Sequence, residues 1–218
     1  MAVDRKPLRI DVISDCVCPW CYVGKRRLEE AMEATADRFE FTVNWRPFQL
    51  NPDMPAEGRD RRAYMREKFG EERVAQMHEH LREVGEEAGI PFDFEKIAKS
   101  PNTREAHRLI WMAQELGLQS QMAEAVFAAY FVQGKDIGDL DVLVEIAEGV
   151  GLDGARIRSL LESDVGKEEV RQQLEEPLRA GITAVPFFVV EGKFGVAGAQ
   201  PAKAFVDAFE RAAREQDA

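Results

Sequence analysis

Residues 8–21 read Leu8-Arg9-Ile10-Asp11-Val12-Ile13-Ser14-Asp15-Cys16-Val17-Cys18-Pro19-Trp20-Cys21. Leu8, Ile10 and Val12 recur at period two, which predicts a strand over 8–14, and the Asp-Cys-Val-Cys-Pro segment interrupts it. Pro19 suits the first turn of a helix, where its missing N–H has no intrahelical partner to lose. From Trp20 to about Ala36, Val23, Leu28, Ala31 and Met32 alternate with Lys25, Arg26, Arg27, Glu29 and Glu30 in an amphipathic helical pattern. Residues 39–45 alternate again as a second strand. The resulting β-α-β unit implies a parallel strand pair with a right-handed crossover.

After Pro47-Phe48-Gln49-Leu50-Asn51-Pro52 the character changes to helix after helix, over 60–88, 102–117, 120–133, 139–149 and 153–180. Pro177 is expected to end or kink the last of these. Strand character returns at 185–190; a Glu191-Gly192-Lys193 turn and residues 194–197 make a hairpin, and a helix from Pro201 to about Arg214 closes the chain. The order β-α-β, helical insert, β-β-α describes an α/β protein. Residues 1–52 and 181–218 are expected to form one discontinuous domain with a four-stranded sheet, in the thioredoxin layout. Residues 53–180 form an all-helical domain inserted after its second strand.

The chain of 218 residues carries 40 Asp+Glu against 29 Lys+Arg, a net charge of -11. It therefore lacks the overall positive charge with which a generic nucleic-acid binder releases phosphate counterions. A hydrophobic fraction of 45% with 10 Pro and 16 Gly excludes a disordered or collagen-like chain. No apolar run reaches the ~18–20 residues that span a bilayer, and the N-terminus lacks the apolar stretch of a secretory signal. A cytoplasmic protein without membrane partners is expected. All three cysteines lie between positions 16 and 21, so they are local chemistry and not a disulfide framework.

In Cys18-Pro19-Trp20-Cys21 the first thiol can face a helix N-terminus, whose dipole and free N–H groups favour the reactive thiolate. The second lies one turn on, near enough to attack a mixed disulfide. A zinc site would want a second ligand pair, but no cysteine follows Cys21, and His78 and His80 stand one residue apart. No metal is expected. Cys16 reads either as a packed loop thiol or as a partner in an alternative disulfide with Cys18 or Cys21.

Asp15-x-x-Cys18-Pro19-Trp20-Cys21-Tyr22-x-Gly24-Lys25-Arg26 resembles the DsbA-like thioredoxin superfamily, specifically its cytoplasmic FrnE-like branch. The segments Pro47-Phe48-x-Leu50-Asn51-Pro52, Asn102-Thr103-x-x-Ala106-His107-x-Leu109, Gly181-Ile182-Thr183-Ala184-Val185-Pro186-Phe187-Phe188 and Gly195-Val196-x-Gly198-Ala199-Gln200 extend the match over roughly 8–212. The resemblance implies a thioredoxin fold with a helical insert and thiol-disulfide oxidoreductase or isomerase activity. It makes Cys18 the nucleophile, Cys21 the resolving thiol and Pro186 a cis-proline facing them, with Val185 turned outward so that a substrate chain can add as a strand.

Two departures stand out. Six residues before the nucleophile, where thioredoxin-type enzymes commonly hold a buried acid, this chain has Val12. Between the cysteines it has Pro19-Trp20 in place of Pro-His, so a thiol-acidifying imidazolium is missing and a less oxidising couple is expected. His107 either lines the cleft between insert and sheet domain or is a satisfied structural histidine. Phe48 and Asn51 line that cleft or form the crossover turn, and Asn102 is a candidate substrate-binding residue. Trp20, Tyr22 and Met112 are candidates for an apolar substrate platform, Pro19 is a candidate substrate-binding residue, and Lys25-Arg26-Arg27 either attracts an anion such as glutathione or is a solvated face.

The leading expectation is a dithiol oxidoreductase with no bound cofactor, reset by glutathione or a thioredoxin-type system. Its partner is a disulfide-containing protein or small thiol substrate. The alternatives are glutathione-dependent isomerisation or transfer on a small aromatic substrate, as in kappa-type transferases and hydroxychromene-carboxylate isomerases, and a non-enzymatic redox-sensing binding module. The former relatives typically carry serine where Cys18 stands. The sequence leaves the oligomeric state open.

Overall fold

A computed structural model describes residues 5–216. In chain order the elements begin β1 (Lys6–Ser14), α1 (Pro19–Glu33), β2 (Phe39–Pro47), β3 (Arg59–Asp60), α2 (Arg61–Phe69), α3 (Glu71–Glu87) and β4 (Lys99–Ser100). They continue α4 (Arg104–Met112), α5 (Gln119–Phe131), α6 (Leu140–Gly149), α7 (Gly154–Glu162), α8 (Lys167–Arg179), β5 (Phe187–Val190), β6 (Phe194–Ala197) and α9 (Ala202–Gln216).

The main sheet has the order β2-β1-β5-β6. β1 is central: it runs parallel to β2, with Val12 opposite Trp45, and antiparallel to β5, with Ile10 opposite Val190. The two chain-distant halves thus meet along one strand, because Leu8, Ile10 and Val12 are buried and only strands on both edges satisfy the backbone of such a strand. α9 lays Phe205 and Phe209 on the sheet, where Phe205 meets Phe188 edge-on at 4.7 Å. This is the thioredoxin arrangement with a helical insertion after the second strand.

One continuous core joins Leu8, Val12 and Phe188 of the sheet to Phe127, Tyr130 and Leu143 of the insertion. The insertion departs from an all-helical segment: β3 and β4 pair antiparallel through Arg59–Ser100 and Asp60–Lys99. Strands of two residues are too short to show a sequence period. The stretch 60–88 divides at Gly70, whose φ of 82° lies in the left-handed region that favours glycine. The stretch 153–180 divides at residues 163–166, between α7 and α8. Pro177 does not stop α8, which runs on to Arg179. It sits in the last turn, and its carbonyl accepts the N–H of Ile182 at 2.8 Å as the chain turns away.

His78 of α3 stacks on Phe94 at 4.3 Å with the rings 9° apart. Burial, with Arg61 and Arg82 nearby, lowers its pKa to about 4, so it is neutral in the fold at neutral pH. Its ordinary value is about 6.5. The unfolded chain therefore takes up a proton that the fold refuses. The resulting stability is present above about pH 6.5 and lost as pH falls through 4. His78→Phe, which keeps the ring stack, is expected to flatten that slope in urea unfolding between pH 7 and 4; an unchanged slope would refute the assignment.

Candidate active site

Cys18 is the N-cap of α1 (φ -94°, ψ 110°), with Pro19 opening the helix and no side-chain capping bond holding the sulfur. The thiol is thus held at the positive end of the helix. It is 5% exposed, and its Sγ–H donates to the Val185 carbonyl at 3.7 Å. The Val185–Pro186 peptide bond is cis, Pro186 is buried, and its carbonyl accepts the Gly198 N–H at 2.8 Å. Residues 183 and 184 are exposed and Val185 is half-buried, so the chain leading to the cis bond is accessible next to the sulfur.

Cys21, one turn on, is buried. Its pKa lies well above the usual thiol value because burial disfavours the thiolate and the neighbouring Cys18 adds to this, against smaller opposing contributions from Asp15 backbone and the Ser14 hydroxyl. All three cysteines are free thiols. Both thiols are buried, but they differ: Cys18 sits at the helix terminus beside the exposed residues 183 and 184, and Cys21, one turn in, is held protonated.

Gly24 of α1 permits this approach. A Cβ there would lie 2.9 Å from Phe188 Cζ and 3.1 Å from Pro186 Cγ. Gly24→Ala gains about 1 kcal/mol of helix propensity, but the overpacking costs about 1–3 kcal/mol. A net loss of thermal stability is expected, together with slower disulfide exchange as the Pro186 loop is displaced. Stability and exchange both at or above wild type would show that the contact is slack.

Trp20 and Pro19 are half-buried, and the Trp20 ring meets His80 of α3 at 5.7 Å. His80 is thereby a neighbour of the dithiol that no local sequence signal announced. Tyr22 corrects the expected platform. It is 2% exposed, stacks on Phe127 at 5.1 Å, and donates its hydroxyl to Glu124 of α5 at 2.6 Å. Burial and Glu124 raise its pKa. Met112 is half-buried against the core.

The cationic run is in large part engaged within the fold, although Arg26 and Arg27 stay half-buried and line a cavity of about 450 Å³. Lys25 is buried and pairs with Glu29 at 2.5 Å and Glu124 at 2.7 Å, while Arg26 reaches Glu124 at 2.5 Å. Arg27 donates to the Ala199 carbonyl. Glu124 thus receives Tyr22, Lys25 and Arg26 together, and α1 is held to the insertion through one carboxylate.

Phe48 and Asn51 belong to the crossover turn. Phe48 is buried, its N–H donates to the Ser14 carbonyl at 2.9 Å, and its own carbonyl accepts His107 Nε2–H at 2.9 Å. Asn51 accepts Lys68 Nζ at 2.5 Å and the Tyr64 hydroxyl, beside a cavity of about 290 Å³ that contains none of residues 16–22. Asn102 also turns inward: its amide donates to the Met54 carbonyl at 2.6 Å, and its oxygen accepts Gln49 at 3.2 Å and the Arg104 N–H at 3.0 Å. These polar groups are spent on holding loop to helix.

His107 is buried, with Nδ1 at 3.7 Å from Cys16 Sγ and Nε2 at 3.5 Å from Asp15 Oδ1. Nε2–H is directed at Phe48, so Asp15 Oδ1 is left without a donor, while Asp15 Oδ2 accepts the Leu50 N–H at 2.8 Å. Burial alone would lower the imidazole pKa, but negative charge on Cys16 and the nearness of Asp15 outweigh it and push it up to about 10. Asp15, Cys16 and His107 form one buried cluster, the one group of potential metal ligands among the described residues. Two of its members are chain neighbours and the third comes from α4, about ninety positions on, so spacing gave no sign of it. No helix among the described residues is long and apolar enough to cross a membrane.

Residues 9–210 match the family described as a DSBA-like thioredoxin domain. The chain is 33% identical to the uncharacterized protein YwbO of Bacillus subtilis (strain 168) over 215 residues, 96% of this chain and 97% of that one. A probable DsbA oxidoreductase from Streptomyces coelicolor is similar in structure, with a TM-score of 0.88 at 32% identity, covering 95% of this chain and 91% of the other. The cytosolic disulfide reductase DsbM of Pseudomonas aeruginosa, solved with GSH, shares the fold at a TM-score of 0.66 and 20% identity, covering 93% and 99%. The chain accordingly belongs to the DSBA-like thioredoxin domain family, whose fold it carries with a helical insertion.

Proposed function

We propose that this protein is a thiol-disulfide oxidoreductase or isomerase that works through a mixed disulfide at Cys18. The observation that carries the reading is the asymmetry of the two thiols. Cys18 caps α1 beside the Val185 carbonyl at 3.7 Å, and Cys21 is buried with a raised pKa. The Cys18 thiolate attacks a disulfide sulfur and one substrate thiol leaves. Cys21 then attacks Cys18, forming the Cys18–Cys21 disulfide and releasing the second. A substrate backbone adds along residues 183–185, as an extended strand beside the sulfur.

A small thiol such as glutathione, or a thioredoxin-type protein, returns the pair to the dithiol; a fold relative solved with GSH supports the first. In a reducing cytosol the resting dithiol favours reduction or isomerisation of aberrant disulfides over net oxidation. Glutathione-dependent isomerisation of a small aromatic substrate needs no resolving thiol, and the presence of Cys21 one turn after Cys18 speaks against it.

The test is dithiothreitol-driven reduction of insulin, with the dithiol titrated in glutathione buffers. Turnover and a two-electron transition between roughly -120 and -300 mV, the span of known thiol couples, are expected. A protein with neither is not an oxidoreductase, and glutathione-dependent isomerisation would then be assayed in its place.

A further inference from the structure

Cys16 stands outside the Cys18–Cys21 pair, and His107 takes no part in disulfide exchange. Both are buried, at 2% and 5% exposure, and Asp15 beside them is at 1%. The expectation of no metal rests on ligand pairs along the chain, whereas these donors come from two distant segments, the loop after β1 and helix α4. One donor atom from each of the three side chains lies within 4.8 Å of the other two.

Hydrogen bonds fix which atoms are left for a ligand. The Nε2–H of His107 is directed at the Phe48 carbonyl at 2.9 Å, so the free lone pair of the ring is on Nδ1, 3.7 Å from Cys16 Sγ. An outer hydrogen bond of this kind is what orients a metal-binding imidazole. Asp15 Oδ2 accepts the Leu50 N–H at 2.8 Å, while Oδ1 is buried and accepts from no donor; it lies 3.5 Å from His107 Nε2, whose proton points elsewhere. A buried carboxylate oxygen left in this way is costly, and a cation removes the cost.

We propose that Asp15, Cys16 and His107 form a binding site for a thiophilic divalent cation of the zinc class, distinct from the Cys18–Cys21 pair. With metal–sulfur and metal–nitrogen bonds of about 2.3 and 2.0–2.1 Å, the 3.7 Å between Sγ and Nδ1 subtends about 115° at the ion, close to tetrahedral. A soft thiolate with an imidazole selects zinc-like ions, and calcium is refused because it wants 6–8 oxygens.

A cavity of about 10 Å³ beside Cys16 and His107, walled by Trp45, Ile110 and Phe127, is at the lower limit for one water. A hydrated ion does not fit, which disfavours magnesium, since it gives up its water reluctantly. Thiolate and carboxylate together neutralise a dication, so the filled cluster buries no net charge. Arg46, the cation in the cavity lining, is already paired with Asp11 at 3.3 Å, and Arg108 of α4 is turned to Glu105 and to backbone carbonyls.

On binding, the Cys16 S–H bond gives way to a sulfur–metal bond, the proton goes to buffer and no electron is transferred. The ion ties α4 to the loop after β1. It also withholds the Cys16 sulfur from a disulfide with Cys18 or Cys21, because the lone pair that would attack is held by the metal.

The probes are cobalt(II) and then zinc, added to the reduced, chelator-treated full chain carrying Cys18→Ser and Cys21→Ser, since a Cys-x-x-Cys pair binds such ions by itself. Equimolar cobalt uptake is expected, with a thiolate-to-cobalt charge-transfer band in the near ultraviolet and the strong visible bands of a four-coordinate ion. Zinc is expected to displace it. Adding Cys16→Ser is expected to abolish the near-ultraviolet band, which a merely structural role for Cys16 would not produce in the first place. His107→Gln is expected to weaken zinc by at least about a hundredfold, the upper end of what an outer partner carries. Asp15→Asn keeps an oxygen for the Leu50 N–H and is expected to weaken it by at least about tenfold.

No thiolate band in the chain carrying both serines, or the same band and zinc affinity after Cys16→Ser, overturns the site. Should that chain fail to fold, the wild type is compared with Cys16→Ser alone: loss of one equivalent of bound zinc is expected, and equal stoichiometry overturns the site. Insulin reduction by the wild type decides the dithiol reading separately, whichever way the metal titration falls.

Discussion

Cys18→Ser is expected to lower insulin turnover by at least about a thousandfold, equivalent to about 4 kcal/mol of transition-state stabilisation, with no change in fold. A serine hydroxyl at the α1 N-cap remains protonated at neutral pH, and the helix dipole is too weak to ionise it. Cys21→Ser acts at the other step. Attack at Cys18 proceeds, but with no thiol one turn on, the mixed disulfide persists. It is expected to accumulate as an adduct of one substrate chain, visible by non-reducing electrophoresis and intact mass. The two variants must differ in kind: one forms no adduct, the other forms one and holds it. If Cys21→Ser turned over at the wild-type rate, Cys18 alone would suffice, and the buried position of Cys21 would need another explanation.

Arg108→Ala is expected to cost about 3–5 kcal/mol of stability, because several buried carbonyls lose their donor at about 1–3 kcal/mol each. Arg108 has no exposed surface. Its guanidinium donates to the carbonyls of Leu160, Leu161 and Ser163, each at 3.1 Å, and to that of Val165, and it pairs with Glu105. One side chain on α4 thereby satisfies carbonyls at the end of α7 and at Ser163 and Val165 of the loop into α8.

Truncation leaves these carbonyls facing a cavity, and each buried acceptor without a donor costs about 1–3 kcal/mol. Arg108→Lys is expected to recover only part of the loss, because an ammonium is a point donor and cannot serve four directions in one plane. Urea unfolding of the three proteins measures this directly. A loss under about 1 kcal/mol for Arg108→Ala would mean that water replaces the guanidinium at little cost. Because α4 also carries His107, a loosened α7–α8 loop is expected to disturb the Cys16 cluster before it touches Cys18.

The parts of this protein that were legible in its sequence are those set by neighbours along the chain. Leu8, Ile10 and Val12 alternate because one face of β1 is buried, and the strand lies where the alternation puts it. Cys18, Pro19 and Cys21 lie at the start of α1 because a proline at N1 and a three-residue offset are local geometry. Within the charge run at 25–27, the burial of Lys25 was not legible because its partner is not local. Nothing in the spacing says that Lys25 is buried against Glu124, a hundred positions away and on another helix. Tyr22 looked available for the same reason, since the aromatic that covers it is Phe127. Asn51 and Asn102 looked like cleft residues, and each is taken up by a loop contact that only the folded chain creates.

The sequence by itself determined the order of elements, the halves of the main sheet and the place of the dithiol, because strand period, helix period, proline and cysteine spacing act over a few residues. The tertiary structure alone decided which charges are buried, which polar groups are already spent, and that Asp15 and Cys16 meet His107. Those facts depend on burial and on partners far apart in the chain. Desolvation makes an unpaired buried charge so costly that its partner is dictated by the packed fold and by nothing in its own neighbourhood.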